Sequence, residues 1–354
     1  MPFQIIRHNI AEVDVDAIIN TTNTRPVIHG GADLTIHKFA GEELLKAREA
    51  FGIMKVGDAF ITDGYNLKAR HVIHVAAPVW GSDDAEVMLR QCYDRAFEVA
   101  YANKIRSLAF PLIGAGTYCF PPEVALRVAL AAVNDFLMTH TMDMMLVVFD
   151  KKAFKLSQQL HNAVQSYIDE HYVEELVQHE YLDGQSVAFN RRGRQKRQRE
   201  KYSYEASVQD VHQMADDFQS AAAPVSYMDY GTSLEDLLKT KDKSFADALL
   251  SLIDRKGLTD AYVYKKANVD RKLFNKIKLH PDYQPRKTTC LAFAVALELN
   301  LDETMDLISH AGYALSHSSK VDIIVEYFIK RKEYNIYEIN SVLFDYDCPI
   351  LGSK

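Results

Sequence analysis

Nowhere in the 354 residues does an apolar run reach the ~20 residues a helix needs to cross a bilayer, so no membrane-spanning segment is expected. The opening, Met1-Pro2-Phe3-Gln4, has no basic region leading into an apolar stretch, so no signal peptide is expected either. Cysteine is scarce. The four present (Cys92, Cys119, Cys290 and Cys348) lie far apart and form no C-x-x-C pair. That excludes a disulfide framework and a zinc cluster as the organising principle, and the expected compartment is a reducing cytoplasm. Positive charge is not in excess: 41 Lys and Arg stand against 48 Asp and Glu, a net charge of -7. A polyanion-binding surface over the whole molecule is therefore not expected, while local basic patches stay open.

What is present is a composition for folding. Hydrophobic residues make up 48% and charged residues 25%. The length exceeds one ordinary core and fits roughly two domains. The first part alternates two periods. Short β-branched or apolar runs fall at Phe3–Ile6, Ala17–Ile19, Ala59–Thr62, Val72–Val75, Leu108–Ile113 and Met144–Phe149. Stretches of period near 3.6 fall between and after them, at Ala32–Phe51, Ala85–Asn103, Pro122–Thr139 and Ala153–Ile168. This predicts an α/β domain over 1–176, with a parallel or mixed sheet flanked by helices on both faces. The basic run Arg191–Arg199 and its polar surroundings predict a flexible linker over 177–232. From Ser233 the pattern is all helical, which predicts a separate all-α domain over 233–354.

Three segments of the first domain carry chemistry. Asp16 to Asn23 is a strand running into a polar turn, Gly30-Gly31-Ala32-Asp33 leads straight into a helix, and Pro111 to Tyr118 is a strand followed by a glycine-rich loop. Glycine lets a backbone approach a ligand closely, and a helix amino terminus offers free N–H groups to an anion. Two such loops at strand ends suit a diphosphate. No lysine follows either loop as in a P-loop, and there is no G-x-G-x-x-G, so neither ATP hydrolysis nor the dinucleotide fingerprint is indicated. Taken singly, each segment has a plainer reading: glycine pairs as turns, Asn20 and Asn23 as turn residues bonding their own backbone, Tyr118 as packing.

Together and in order they resemble the macrodomain family, which binds ADP-ribose. The resemblance is carried by DAIINTTNTRPVIHGGADLTIHKFAG (Asp16–Gly41), GDAFITDGYNLKARHVIHVAAP (Gly57–Pro78) and LAFPLIGAGTYCFP (Leu108–Pro121). It implies that Asp16 bonds the adenine amine and that Gly114, Ala115 and Gly116 offer N–H groups to the diphosphate. Gly30, Gly31 and Tyr118 would lie at the distal ribose, and Asn20, Ile113 and Thr117 would complete the binding set. In the MacroD-type hydrolase branch an asparagine and an aspartate matter for turnover, at positions that match Asn23 and Asp33. The implied activity is hydrolysis of ADP-ribose from modified proteins or of O-acetyl-ADP-ribose, with no cofactor and no metal. The alternative is a non-catalytic ADP-ribose reader coupled to the C-terminal helices. The departures gather around the distal ribose: Ile28 and His29 stand for two glycines, Thr117 for a β-branched apolar residue and Cys119 for a glycine.

In the second domain, Thr259-Asp260 caps one short helix, Asn268 breaks it and Asp270 opens another. The run from Gly257 to Leu315 resembles the repressor-like helix-turn-helix family of the Cro type. That implies DNA contact through Arg271, Lys272, Asn275 and Lys276. Lys265, Lys266, Lys278 and Arg286 add local basic charge, and Glu298, Asp302, Glu303 and Asp306 oppose it. The plain alternative is a helical bundle for protein contact.

Overall fold

The computed structural model describes residues 3–149, 160–169 and 243–352. The expected linker and the basic run Arg191–Arg199 lie outside the described residues. The α/β part contains a six-stranded sheet: β1 (Phe3–Arg7), β2 (Ala17–Thr22), β3 (Ala59–Asp63), β4 (His71–Ala76), β5 (Ser107–Pro111) and β6 (Asp143–Val148), ordered β1-β6-β5-β2-β4-β3. All neighbours pair in parallel except β3 with β4. The sheet is mixed, one of the two arrangements the alternating pattern allows.

The helices α1 (Ala32–Ala40), α2 (Glu42–Phe51), α3 (Ala85–Ala102) and α4 (Pro122–Thr139) cover it. Strand alternation divides the core into two layers. Ile18, Val72, Ala109 and Val147 face Ile36, Ala40 and Leu44 of α1 and α2. On the other face Phe110 meets Tyr93 and Phe97 of α3 edge to face, and Phe97 packs on Phe136 of α4. The single helix expected over Ala32–Phe51 is two helices. Gly41 between them has φ +94, a left-handed value that a continuous helix does not contain.

The C-terminal region is all helical, as expected. Its helices are α5 (Phe245–Arg255), α6 (Asp260–Lys266), α7 (Arg271–Leu279), α8 (Lys287–Ala296), α9 (Leu301–Ser309), α10 (Lys320–Lys330) and α11 (Ile336–Asp345). Side-chain caps start most of them: Ser244, Thr259, Asp270, Asn300, Ser319 and Asn335 each accept a first-turn N–H. Helix α8 is the hub, buried from Thr289 to Ala296.

The C-terminal helices and the α/β part form one compact unit. Two of the contacts that join them satisfy backbone groups of the α/β part. Asn268, fully buried with φ +54 in the turn between α6 and α7, accepts from the Phe3 N–H (3.0 Å) and donates to the Phe3 carbonyl (3.0 Å). Its amide thus does for the outer edge of β1 what a neighbouring strand would do. Lys265 donates to the carbonyls of Met138 (3.1 Å) and His140 (3.4 Å), closing the carboxyl end of α4.

Replacing Asn268 by Ala leaves a buried N–H and a buried carbonyl of β1 without partners and puts a Cβ residue without a compensating side chain at positive φ. The expected loss is about 3 kcal/mol of unfolding free energy. Urea titration of the full chain measures it. A loss under about 1 kcal/mol would show that this clip does not hold the edge.

Candidate functional site

The sheet itself makes the crevice. The β2–β5 ladder stops at Ile18↔Ala109, whereas β2–β4 runs on to Thr22↔Ala76 and β5–β6 to Pro111↔Val147. The two central strands splay at their carboxyl ends, and a glycine loop leaves each of them. The loops meet there: a Cβ placed on Gly31 would sit 3.9 Å from Thr117 Oγ1.

The first loop is held from below. Asn23 ties its own turn, accepting from the Arg25 N–H (2.6 Å) and donating to the Val27 carbonyl (3.2 Å). Gly31, φ +69, stands at the amino terminus of α1 with no side-chain cap. The first-turn N–H groups of α1 are thereby left for a ligand. Asp33 turns inward and is 1% exposed. Its Oδ2 accepts from the His29 N–H (2.7 Å), and its Oδ1 accepts from Asn20 Nδ2 (2.7 Å) and Arg48 Nη1 (3.3 Å). Arg48, 2% exposed on α2, also donates to the Arg25 carbonyl (3.0 Å). One buried ion pair therefore fixes both ends of the exposed stretch Arg25–Gly31.

The network continues into the sheet. Asn20 Nδ2 lies 3.3 Å from His74 Nδ1, and His74 Nε2 lies 3.0 Å from Thr62 Oγ1. Asn20 can only donate through that atom, so His74 Nδ1 accepts and its proton sits on Nε2, toward Thr62. Burial holds the His74 imidazole well below the ordinary value, with the charges of Arg48 and His37 adding to it. It is neutral. His37 is lowered as well, first by burial, with Asp33 opposing and Arg48 assisting. Its Nε2 faces Arg48 Nη1 at 3.3 Å.

The second loop starts from a buried anchor, the Ile113 N–H donating to Tyr93 Oη (2.8 Å). Gly114, φ +87, has no room for a side chain, since a Cβ would come within 2.8 Å of the Phe120 ring. Gly116 faces open space. The N–H groups of Gly114, Gly116, Thr117 and Tyr118 donate to no acceptor among the described residues. Cys119 has φ +60, which explains the glycine usual there. Tyr118 is 9% exposed, its hydroxyl has no partner among the described residues, and burial together with the Asp33 charge raises its pKa. Asn20 Oδ1 and Thr22 Oγ1, on the splayed part of β2, are likewise buried without partners among the described residues. Buried polar atoms are rarely left so, and a site awaiting ligand or water is where they gather.

Of the residues expected at the site, Asn20, Asn23, Gly30, Gly31 and Asp33 come together with Ile113, Gly114, Ala115, Gly116, Thr117 and Tyr118. Asp16 does not join them. It precedes β2, at the amino end of the strands, one strand length or about 20 Å from the loops. Its Oδ2 accepts from the N–H groups of Arg106 (3.0 Å) and Ser107 (3.1 Å). Burial pushes the Asp16 carboxyl up, but those two bonds, Ser107 Oγ and Arg70 outweigh it and the pKa is lowered. The sheet brings other residues to the crevice instead. Parallel β1 and β6 end beside β5, so Asn9 and Phe149 follow them to the loop side. Phe149 is 80% exposed there. Arg48, His74, Asn9 and Phe149 were not read as site residues from sequence. The only sequence signal for Arg48 is an arginine within an otherwise amphipathic helix.

Residues 19–129 match the Macro domain family model. A Macro domain-containing protein of Mesorhizobium japonicum is 45% identical over 129 residues, 36% of this chain and 73% of that protein. One of Xanthomonas axonopodis pv. citri is 34% identical over 169 residues, 45% of this chain and 94% of that protein. The chain belongs to the macro domain family. An O-acetyl-ADP-ribose deacetylase of Escherichia fergusonii is 35% identical over 164 residues, 44% of this chain and 93% of that protein. The solved Oceanobacillus iheyensis macrodomain with ADP is 30% identical, covers 43% of this chain and 85% of its own, and has a TM-score of 0.41. The helix-turn-helix resemblance gains no support from these comparisons. The macrodomain has no group of metal-ligating side chains among the described residues.

The neutral His74 makes stability depend on pH. Its folded pKa lies below the unfolded value, 6.5, so its contribution is complete above pH 6.5 and falls as pH drops below it. At pH 5.5 the expected loss is about 1.4 kcal/mol from this residue. Urea unfolding at pH 7.5 and 5.5 should show a smaller pH difference in His74→Gln than in the natural chain. An equal difference would mean that the imidazole is charged in the fold.

Proposed function

We propose that the macrodomain binds ADP-ribose in the crevice between β2 and β5 and hydrolyses ADP-ribosyl bonds, on modified proteins or in O-acetyl-ADP-ribose. The carrying observation is the pair of glycine loops in near contact, with free N–H groups on the second and an uncapped helix amino terminus behind the first. Those donors suit a diphosphate. The relative named O-acetyl-ADP-ribose deacetylase supports the same chemistry.

The diphosphate lies against Gly114, Ala115 and Gly116. Placing the distal ribose toward Gly30, Gly31 and Tyr118 puts the adenine at the other end, beside Asn9 and Phe149. An exposed ring at that end offers a stacking face. Asp16 then belongs to the scaffold. Asn23 and Asp33 remain the residues assigned to turnover, in different ways. Asn23 borders the ribose. Asp33 has both oxygens engaged and is a positioning residue: it holds the His29 N–H and the Asn20 amide, and through Arg48 the loop over the ribose. Water attacks either the anomeric carbon of the distal ribose or the ester carbonyl of an acetylated substrate, with the loops supplying orientation.

Incubation with a protein mono-ADP-ribosylated on glutamate tests the reading: free ADP-ribose should appear over many turnovers. Binding without release at saturating protein would make the chain a reader. Asn23→Ala should lower kcat about tenfold or more while ADP-ribose Kd moves less than about threefold. Equal losses in both would make it a recognition residue only. Asp33→Asn, which breaks the buried pair that holds the first loop, should lower kcat and weaken ADP-ribose binding together. Phe149→Ala should weaken ADP-ribose binding by about 1–3 kcal/mol, the range for a stacked base. Asp16→Ala should leave Kd unchanged. Calorimetry giving the opposite pattern would move the adenine to Asp16. Gly116→Val, in open space, should abolish binding without unfolding the chain.

DNA contact through the C-terminal helices is a second reading. In its favour, Arg271, Lys272, Asn275 and Lys276 are all exposed on α7. Against it, Arg271 at the reading end of α7 shares a recess with His140, Thr141 and Asp143 of the α/β part, which crowds the approach of a duplex groove. A gel shift at low salt on random duplex decides it; no shift at micromolar protein ends the DNA reading.

A further inference from the structure

We propose that the C-terminal helices carry a second, independent anion site, a recess between α7 and the amino terminus of α8 that takes the phosphate of a small phosphorylated ligand. The recess measures about 350 Å³, within the range of small-molecule sites. Lys272 and Lys276 line it from α7 and Arg286 from the start of α8.

What sets these three cations apart is the state of their neighbours. Lys265 is engaged by the carbonyls at the end of α4. Lys266 pairs with Glu298, Lys278 with Asp260 and Lys287 with Asp322. Lys272, Lys276 and Arg286 reach no carboxylate among the described residues. The one acid in the lining, Asp270, has its Oδ1 occupied by the Leu273 N–H as the cap of α7. Three positive side chains therefore face one carboxylate, a net charge of +2 in a concave space. Lys276 is held over the Tyr283 ring, 4.1 Å from its centroid, which keeps the ammonium at the recess rather than in bulk water.

Two further features point to an anion. Arg286, the residue before α8, gives no side-chain cap, so the N–H groups of the helix's first turn add to the positive field. Thr289, 2% exposed, also lines the recess, and its hydroxyl makes no hydrogen bond among the described residues. A hydroxyl that lines the recess beside three cations and bonds to no protein group among the described residues can donate to a phosphate oxygen.

The test uses the full chain with inorganic phosphate, AMP and adenosine, measured by calorimetry and thermal shift against chloride at matched ionic strength. Because phosphate can also enter the crevice of the macrodomain, the background is Gly116→Val. Phosphate and AMP should bind and adenosine should not. Arg286→Gln and Lys272→Gln should each raise the phosphate Kd about tenfold, as expected for loss of a charge-assisted contact. Thr289→Val, which preserves shape, should raise it several-fold with no change in the melting temperature measured without phosphate. Phosphate tighter than AMP assigns free phosphate as the ligand, and AMP tighter assigns a phosphomonoester. The proposal is overturned if chloride matches phosphate, or if binding vanishes in the Gly116→Val background. Binding of random duplex that depends on the same residues and that phosphate does not compete would also overturn it, and would give the recess to nucleic acid.

Discussion

The pairing of Asp33 with Arg48 is the constraint on which the site depends. Both are nearly inaccessible, at 1% and 2% exposure. Ions removed from water are held only if their remaining lone pairs and protons are satisfied. That requirement organises the surroundings. Asp33 takes the His29 N–H and the Asn20 amide, and Arg48 takes the Arg25 carbonyl. The loop from Arg25 to Gly31 is exposed but for the half-buried Pro26, yet both its ends are fixed to buried charge. A loop that must meet a ligand with its backbone needs that arrangement, because it has no core of its own to hold it. Loss of Arg48 alone would leave Asp33 as an uncompensated buried charge, a far larger disturbance than its distance from the ligand suggests.

The same network sets a chemical condition. His74 is neutral because it is buried beside positive charge, and neutrality lets its Nδ1 accept from Asn20. A protonated ring would present a donor to a donor. Asn20 would then turn, and its bond to Asp33 would be lost. The orientation of the Asn20 amide is thus determined from two sides, by Asp33 and by His74. Both protons of the amide are thereby committed, and its Oδ1 has no partner among the described residues.

What could be read from the sequence follows the range of the interaction. The glycine loops, the caps at Thr259 and Asp270 and the break at Asn268 are local, and each stands where the residue pattern puts it. The α/β sheet with its parallel core also follows from alternation. Gly41 was legible in principle, but a helical hydrophobic pattern continued across it, and the pattern does not reveal a left-handed φ. Asp16 was placed by its neighbours in the chain, whereas strand direction decides which end of the sheet a residue occupies. It starts β2, and the loops follow the ends of β2 and β5. Asn9 and Phe149 have the converse history. Neither carries a motif, and only the order β1-β6-β5 brings them beside the crevice. Arg48 was invisible for a different reason: an arginine on an amphipathic helix reads as surface until its partner Asp33, fifteen positions away, is seen to be buried.

Helix α4 joins the two halves of the molecule. Its amino end follows directly from the second glycine loop, through Phe120 and Pro121, and its carboxyl end is closed by Lys265 of the C-terminal region. Lys265 is one of the lysines that would suggest a basic face when counted in sequence. In the fold its ammonium meets the negative end of a helix, so it contributes to docking and not to a nucleic-acid surface. Asn268, three residues later, closes the edge of β1. The short stretch Lys265–Asn268 therefore grips the last turn of α4 and the first strand together. The strand belongs to the sheet whose splayed centre forms the crevice, and α4 packs on that sheet. The C-terminal helices complete the α/β part by covering its exposed edge, and this gives a physical reason for the two to form one compact unit.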